Sequence, residues 1–329
     1  MDCRMPVADC RLSVTHLTGF SICLLVVMLF SCGCREPRNQ GPPKTNAKIR
    51  FTAIQDGEIW IRHSVIQLRF DSEMYCKVFL NQNGKLLSVV DIPPVSEKAR
   101  PAHYVWVNGE ELRDFRIDYA NVGASDIRTQ YGVGRRLHLT GFAKTATGIV
   151  IEKELVVDLY NDFPELAVVF CRFHNTDKSQ PVQLSRIIDN FFRLDASRVS
   201  SSFRPFDFWL FQGKIANQRQ VTKLLENFSQ IAPFEFSRGL QADMVPFFDF
   251  WNDKMGMAVG YLAAGLEGGK FMATIASDKH VEAGIYYETT RTLGPTQSIS
   301  TPKSVWMVHR GDYQSSLKRY QELELRNER

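Results

Sequence analysis

The sequence predicts an all-β protein that ends in one short helix. Three observations carry this expectation. Past residue 50 apolar residues recur at every second position, β-branched and aromatic residues gather in short runs, and Gly, Pro, Asn and Asp separate the runs at close intervals. The 329 residues are 44% hydrophobic and 23% charged, enough to bury a substantial core. Residues 51–311 read as one large sandwich domain, and residues 312–329 as a C-terminal linker helix.

The chain opens with a leader-like segment. Leu17 to Phe30 carries no charge, follows Arg4 and Arg11, and is shorter than the ~20 apolar residues of a membrane span. Of the seven cysteines, Cys3, Cys10, Cys23, Cys32 and Cys34 precede residue 35. Leu29-Phe30-Ser31-Cys32 resembles a bacterial lipobox, which implies a lipoprotein signal peptide over residues 1–31 and lipidation of Cys32. An ordinary secretory signal is the plainer alternative. Residues 32–50 hold Pro37, Pro42 and Pro43, have no apolar period, and read as a tether. The expected location is the cell envelope, lipid-anchored to a membrane at the periplasmic side or the cell surface.

The clearest hairpin runs from Arg135 to Phe142, turns at Thr145 to Gly148 and returns from Ile149 to Tyr160, with Ile149, Ile151, Leu155 and Val157 on one face. A break at Asn161-Asp162-Phe163-Pro164 precedes a strand from Leu166 to His174. The polar turn Asp177 to Gln180 leads into Val182 to Leu194. Such short connections suit antiparallel neighbours. The stretch from Phe203 to Val245 alternates poorly and reads as long loops with short strands. Strands resume at Met255 to Leu262, Phe271 to Ala276, Val281 to Glu288 and Ser304 to Arg310. At the end Asp312 can cap a helix whose stripe is Tyr313, Leu317, Tyr320 and Leu323.

Several chemistries find no support. A formal net charge of +4 gives no strong field for a polyanion, so nucleic acid is not an expected partner. Gly132-Val133-Gly134 lacks a third glycine and leads into a strand, whereas a phosphate site needs a helix N-terminus. The seven histidines show no zinc-ligand spacing, and neither a metal nor a cofactor is implied. Cys76 and Cys171 could pair or stay as buried thiols. What stands out is two clusters in the irregular region, Phe206-Asp207-Phe208-Trp209 and Phe247-Phe248-Asp249-Phe250-Trp251-Asn252-Asp253. Sugar rings have flat apolar faces rimmed by hydroxyls, so aromatic platforms beside Asp, Asn and Gln suit saccharide recognition. The plainer reading makes them core aromatics beside turn carboxylates. A hydrolytic pair drawn from Asp207, Asp249 and Asp253 would need its members ~5 to ~9 Å apart, a spacing no sequence specifies.

Four stretches, in order, resemble the N-terminal domain of family 36 α-galactosidases. They are Gly134-Arg135-Arg136-Leu137-His138-Leu139; Tyr160 to Pro164 with Phe173-His174-Asn175; Val245 to Gly260; and Thr301 to Tyr320. The likeness runs from about Glu58 to Glu322. Phe208 to Gly213 also fits, while Lys214 to Glu226 departs from the family pattern. The resemblance implies a galactose-mutarotase-like β-supersandwich whose loops lean over the sugar site of a following (β/α)8 barrel, which supplies both catalytic aspartates. The residues after Arg310 are far fewer than the ~250 a barrel requires, so no catalytic residue is carried over. Trp209, Gln212, Asp249 and Trp251 are the candidate carbohydrate contacts.

Three functional readings follow. In the first, the chain is the non-catalytic domain of an α-galactosidase-like glycoside hydrolase, lending carbohydrate-facing loops to a barrel on another chain; its ligand is an α-galactoside-like glycan. In the second, it is a surface-tethered glycan-binding lipoprotein without hydrolase activity. In the third, it is a truncated reading frame. The terminal stripe would hold a barrel subunit or a second copy in the first reading, or fold back on its own sheet.

Overall fold

Alternate residues of a strand point to opposite faces, and in the computed structural model one set of them meets a second sheet. The structure describes residues 49–53, 57–90, 100–214, 220–234, 244–262, 266 and 268–327. Residues 1–31 and nearly all of the proposed tether, Cys32 included, lie outside it. Among the described residues no helix is long and apolar enough to cross a membrane.

The described residues form a 12-stranded and an 11-stranded sheet with antiparallel ladders. The first begins with the meander Arg50–Ala53, Ile59–Arg62, Ile66–Phe70, Cys76–Gln82 and Lys85–Val90. It continues through Val182–Leu194, Val281–Glu288 and Gly269–Ile275 to the edge strand Ser229–Pro233. The second runs from the edge strand Gln220–Lys223 through Trp209–Lys214, Met244–Trp251, Gly256–Tyr261 and Ser304–His309. Beyond these come Phe163–Asn175, Val150–Tyr160 and Gly132–Lys144.

The predicted hairpin is present, with Leu137 opposite Val157 and Leu139 opposite Leu155. Ile149, Ile151, Leu155 and Val157 all enter the core between the sheets. The same alternation carries Lys153 inward, where it is fully buried and donates from Nζ to the His103 carbonyl at 2.8 Å. Burial holds its ammonium down to about 8. Cys76 and Cys171 are buried free thiols; burial pushes the Cys171 thiol up to about 12 and Cys76 well above its ordinary value. The open question of a bond between them is thus answered by two protonated thiols.

A polar knot crosses the core. Asn190 sits at φ 54° where the ladder to Val281–Glu288 shifts register between Asp189 and Phe192. Its Nδ2 donates to Tyr261 Oη at 2.6 Å, and its Oδ1 accepts from Trp306 Nε1 at 2.6 Å and Ser304 Oγ at 3.0 Å. Asn190 belongs to the first sheet and its three partners to the second, so these bonds fix how the sheets face each other.

Two expectations need correction. Phe163 and Pro164 are not a break but the start of the strand Phe163–Asn175, since Tyr160 already pairs with Phe163 across a bulge. Met244–Trp251 is an eight-residue strand in the middle of the second sheet, not irregular chain. Its sequence hides the period because both faces are covered. Phe248 and Phe250 enter the main core, while Phe247 and Trp251 pack on the outer face beneath the helix.

That helix spans Tyr313–Asn327, and Asp312 Oδ1 accepts from Gln314 N at 3.0 Å at its start. Tyr313, Ser316, Tyr320 and Leu323 are buried against the second sheet and Leu317 is partly so. The stripe therefore folds back on its own sheet, and this surface is not open to a barrel or a second copy. Close approach demands bare backbone below: a Cβ on Gly260 would stand 2.3 Å from Tyr320 Cε2. At the far end Tyr131 Oη donates to Asn327 Oδ1 at 2.6 Å, and Asn327 Nδ2 donates to the Leu262 carbonyl at 2.9 Å.

Candidate functional site

Pairing of Trp209–Lys214 with Met244–Trp251 brings the two aromatic clusters together. Trp209 lies directly opposite Trp251, and Phe211 opposite Asp249. Trp209, Phe211, Phe247, Asp249 and Trp251 share the outer face of the sheet. Phe211 and Trp251 are sealed by Tyr313, at ring distances of 4.1 and 5.5 Å. Trp209 lies beyond the helix start and stays 41% exposed.

Here a cleft of about 640 Å³ opens. Its floor is Trp209 and Trp251; Phe203, Asp207, Lys223, Asn252 and Asp253 surround them, and Gly311 and Asp312 close the helix side. The rim is locally braced. Asp207 Oδ2 accepts from the Arg204 amide at 2.7 Å and Oδ1 from its guanidinium at 3.1 Å, with Lys223 Nζ 3.8 Å away. Partial burial pushes the Asp207 carboxyl up, but these bonds and charges outweigh it and hold it below the usual carboxylate value. It is an anion at neutral pH, an acceptor rather than an acid. Asn252 Nδ2 donates to the Asp207 carbonyl at 3.3 Å, while its Oδ1 accepts from the amides of Lys254 and Met255. One amide thus ties the two clusters' turns together. Asp253 is well exposed, and Lys223 Nζ lies 5.6 Å from the Trp209 ring centre.

Of the four predicted contacts, Trp209 and Trp251 line the cleft and Gln212 and Asp249 do not. Gln212 is on the other face of its strand, beside the core residue Leu210, and its Oε1 accepts from Gln230 of the opposite sheet at 2.7 Å. Asp249 is on the right face but fully buried under the helix. There His309 Nε2 donates to its Oδ1 at 2.9 Å and Ser316 Oγ to its Oδ2. Burial lowers the His309 pKa, yet the facing carboxylate and its hydrogen bond outweigh that and leave it above the ordinary imidazole value. Asp249 is a clasp for the helix, buried and outside the cleft. Lys223 and Asp312 are the cleft residues the pattern does not announce. Lys223 falls in the stretch that departs from the family pattern, and Asp312 reads from sequence only as a cap.

No protein-family model and no curated protein matches the sequence. Solved structures do match. The GH36 α-galactosidase AgaB from Geobacillus stearothermophilus superposes with a TM-score of 0.58 at 13% identity, over 84% of this chain and 43% of its own. The galactosidase domain of the α-galactosidase-sucrose kinase AgaSK gives 0.55 at 10% identity, over 79% and 42%. The GH36 α-galactosidase AgaA from Geobacillus stearothermophilus gives 0.53 at 13%, over 77% and 40%. This chain spans less than half the length of each. It has the large two-sheet β-sandwich fold that these α-galactosidase chains carry over about two-fifths of their length.

Proposed function

We propose that this sandwich is a non-catalytic, carbohydrate-binding domain of an α-galactosidase-like glycoside hydrolase, and that it presents the Trp209–Trp251 cleft to a glycan held by a catalytic barrel on another chain. The observation that carries this reading is the half-exposed indole of Trp209, paired with Trp251 and ringed by Asp207, Asn252 and Asp253. An indole face covers the apolar side of a pyranose, while the carboxylate oxygens accept from its hydroxyls. The fold shared with α-galactosidases supports the choice of an α-galactoside-like glycan. Glycoside cleavage needs a carboxylic acid that keeps its proton, and the ionised Asp207 does not offer one.

The test is equilibrium binding of methyl α-galactopyranoside to the full chain, beside an assay of p-nitrophenyl α-galactoside hydrolysis. Binding without turnover is expected, and Trp209→Ala with Asp253→Ala should weaken it about tenfold or more. Unchanged affinity in that double variant overturns the reading; turnover that Asp207→Asn removes overturns its non-catalytic part.

One observation favours the second reading, a tethered glycan-binding module that works alone. The terminal helix buries its own stripe, so the sandwich needs no barrel to cover it. In either reading we propose an envelope protein anchored through lipid on Cys32. Labelled palmitate should enter the wild-type chain but not Cys32→Ala, and absence of label in the wild type rules the anchor out.

A further inference from the structure

We propose that the outer face of the 12-stranded sheet holds a second saccharide site, a shallow cleft that takes a neutral hexopyranoside with one ring face on Trp106 and its hydroxyls on Arg186 and Glu288.

The face is defined by alternation together with the register shifts between Leu184 and Arg186 and between Asp189 and Phe192. On the strand Val182–Leu194, Leu184 and Ile187 enter the main core, whereas Ile188 and Phe191 join Tyr104 and Tyr286 in a separate apolar cluster on the other side, with Trp106 packed against it. Register then sets three unlike groups in a row across neighbouring strands, because Arg186 pairs with Trp106 on one side and with Glu288 on the other. Above this row lies a cleft of about 590 Å³ lined by these three residues with Ser185, Thr289 and Thr290. Its size suits a small ligand, since such sites run from about 300 to about 1,000 Å³. It is separate from the Trp209–Trp251 cleft, which belongs to the other sheet.

The chemistry selects among ligands. Arg186 Nη2 lies 3.5 Å from Glu288 Oε1, and Lys270 Nζ donates to Glu288 Oε2 at 2.6 Å. An anion on Arg186 would stand beside the Glu288 carboxylate and be repelled by it, whereas a polyol uses the pair as it stands: vicinal hydroxyls can accept from the guanidinium and donate to the carboxylate. An extended peptide would require a free strand edge, but the Thr289 amide already donates to the Ser185 carbonyl at 3.1 Å. What remains open is one indole, a paired guanidinium and carboxylate, and three hydroxyl side chains, which match one apolar and one hydroxylated side of a pyranose.

The experiment uses the full chain carrying Trp209→Ala and Asp253→Ala, so that the first cleft is silent. It is titrated with methyl α-galactopyranoside, methyl β-galactopyranoside and methyl α-glucopyranoside, followed by tryptophan fluorescence and calorimetry. At least one glycoside should still bind. Adding Trp106→Ala should weaken that binding about tenfold, and adding Glu288→Gln, which keeps size and fold, should weaken it several-fold. If none of the three glycosides binds this background, the proposal fails, while binding to the unaltered chain would still stand for the first cleft. Residual binding untouched by Glu288→Gln overturns it, as does inorganic phosphate binding more tightly than every glycoside. Should Trp106→Ala not fold, Glu288→Gln alone decides.

Discussion

One strand face holds two opposite environments. Along Met244–Trp251, Asp249 lies under the first turn of the sheet-bound helix and is fully buried, while Trp251 reaches the cleft where Trp209, Asp207 and Asp253 meet solvent. The residue types are the same in both places, carboxylate beside aromatic ring. What differs is cover. Under the helix a carboxylate must be matched by donors, and His309 and Ser316 supply them. Past Gly311 and Asp312 the helix no longer covers the sheet, and the same chemistry is left to bind a solute. An Asp next to aromatics is therefore a site only where nothing in its own chain closes over it.

This contrast can be broken at the sealed end first. Tyr320 is fully buried, and its Oη donates to the Tyr261 carbonyl at 2.6 Å. Tyr320→Ala should cost about 3–5 kcal/mol of stability, read from denaturant unfolding. A loss under about 1 kcal/mol would mean that the helix is not held as described. Asp249→Ala removes the acceptor of two buried donors and should cost about 3 kcal/mol. An effect that small on the solvent-exposed scale, within about 0.5 kcal/mol, would erase the distinction between the two ends.

The clasp also has a pH signature. His309 has a folded pKa above its unfolded value of about 6.5. Its contribution to stability is therefore complete below about pH 6.5 and is lost as pH rises through the folded value. Unfolding midpoints should fall on going from about pH 6 to about pH 9, and His309→Gln should flatten that part of the profile. Equal slopes in both proteins would remove the clasp from the account. The smallest stability effect is expected at the open end, where Trp209→Ala should change unfolding by less than about 0.5 kcal/mol while weakening glycan binding at its own cleft about tenfold. A large loss of stability there would make Trp209 a packing residue.

Particular residues show how far the sequence could be read. The face shared by Ile149, Ile151, Leu155 and Val157 was legible because period two is written in neighbouring positions, and all four reach the core. Met244–Trp251 was not legible as a strand, since core on one side and helix on the other make both faces apolar and erase the alternation. The two aromatic clusters could be named, but not their pairing of Trp209 with Trp251. Gln212 shows the cost of one step in register: three positions after Trp209 it points the other way, to Gln230 across the sandwich.

The amino-acid sequence by itself determined the all-β class, the principal strands from Arg135 onward and the terminal helix with its stripe, because each is encoded by residues within one or two turns or strand repeats of one another. Only the tertiary structure decided that the stripe closes on its own sheet, that Asp249 is a clasp while Asp207 and Asp253 stay open, and that Trp106, Arg186 and Glu288 stand in one row. Those outcomes depend on register and cover between segments far apart in the chain, and the free energy that fixes them, burial of whole faces and pairing of buried donors, has no signature in the local pattern.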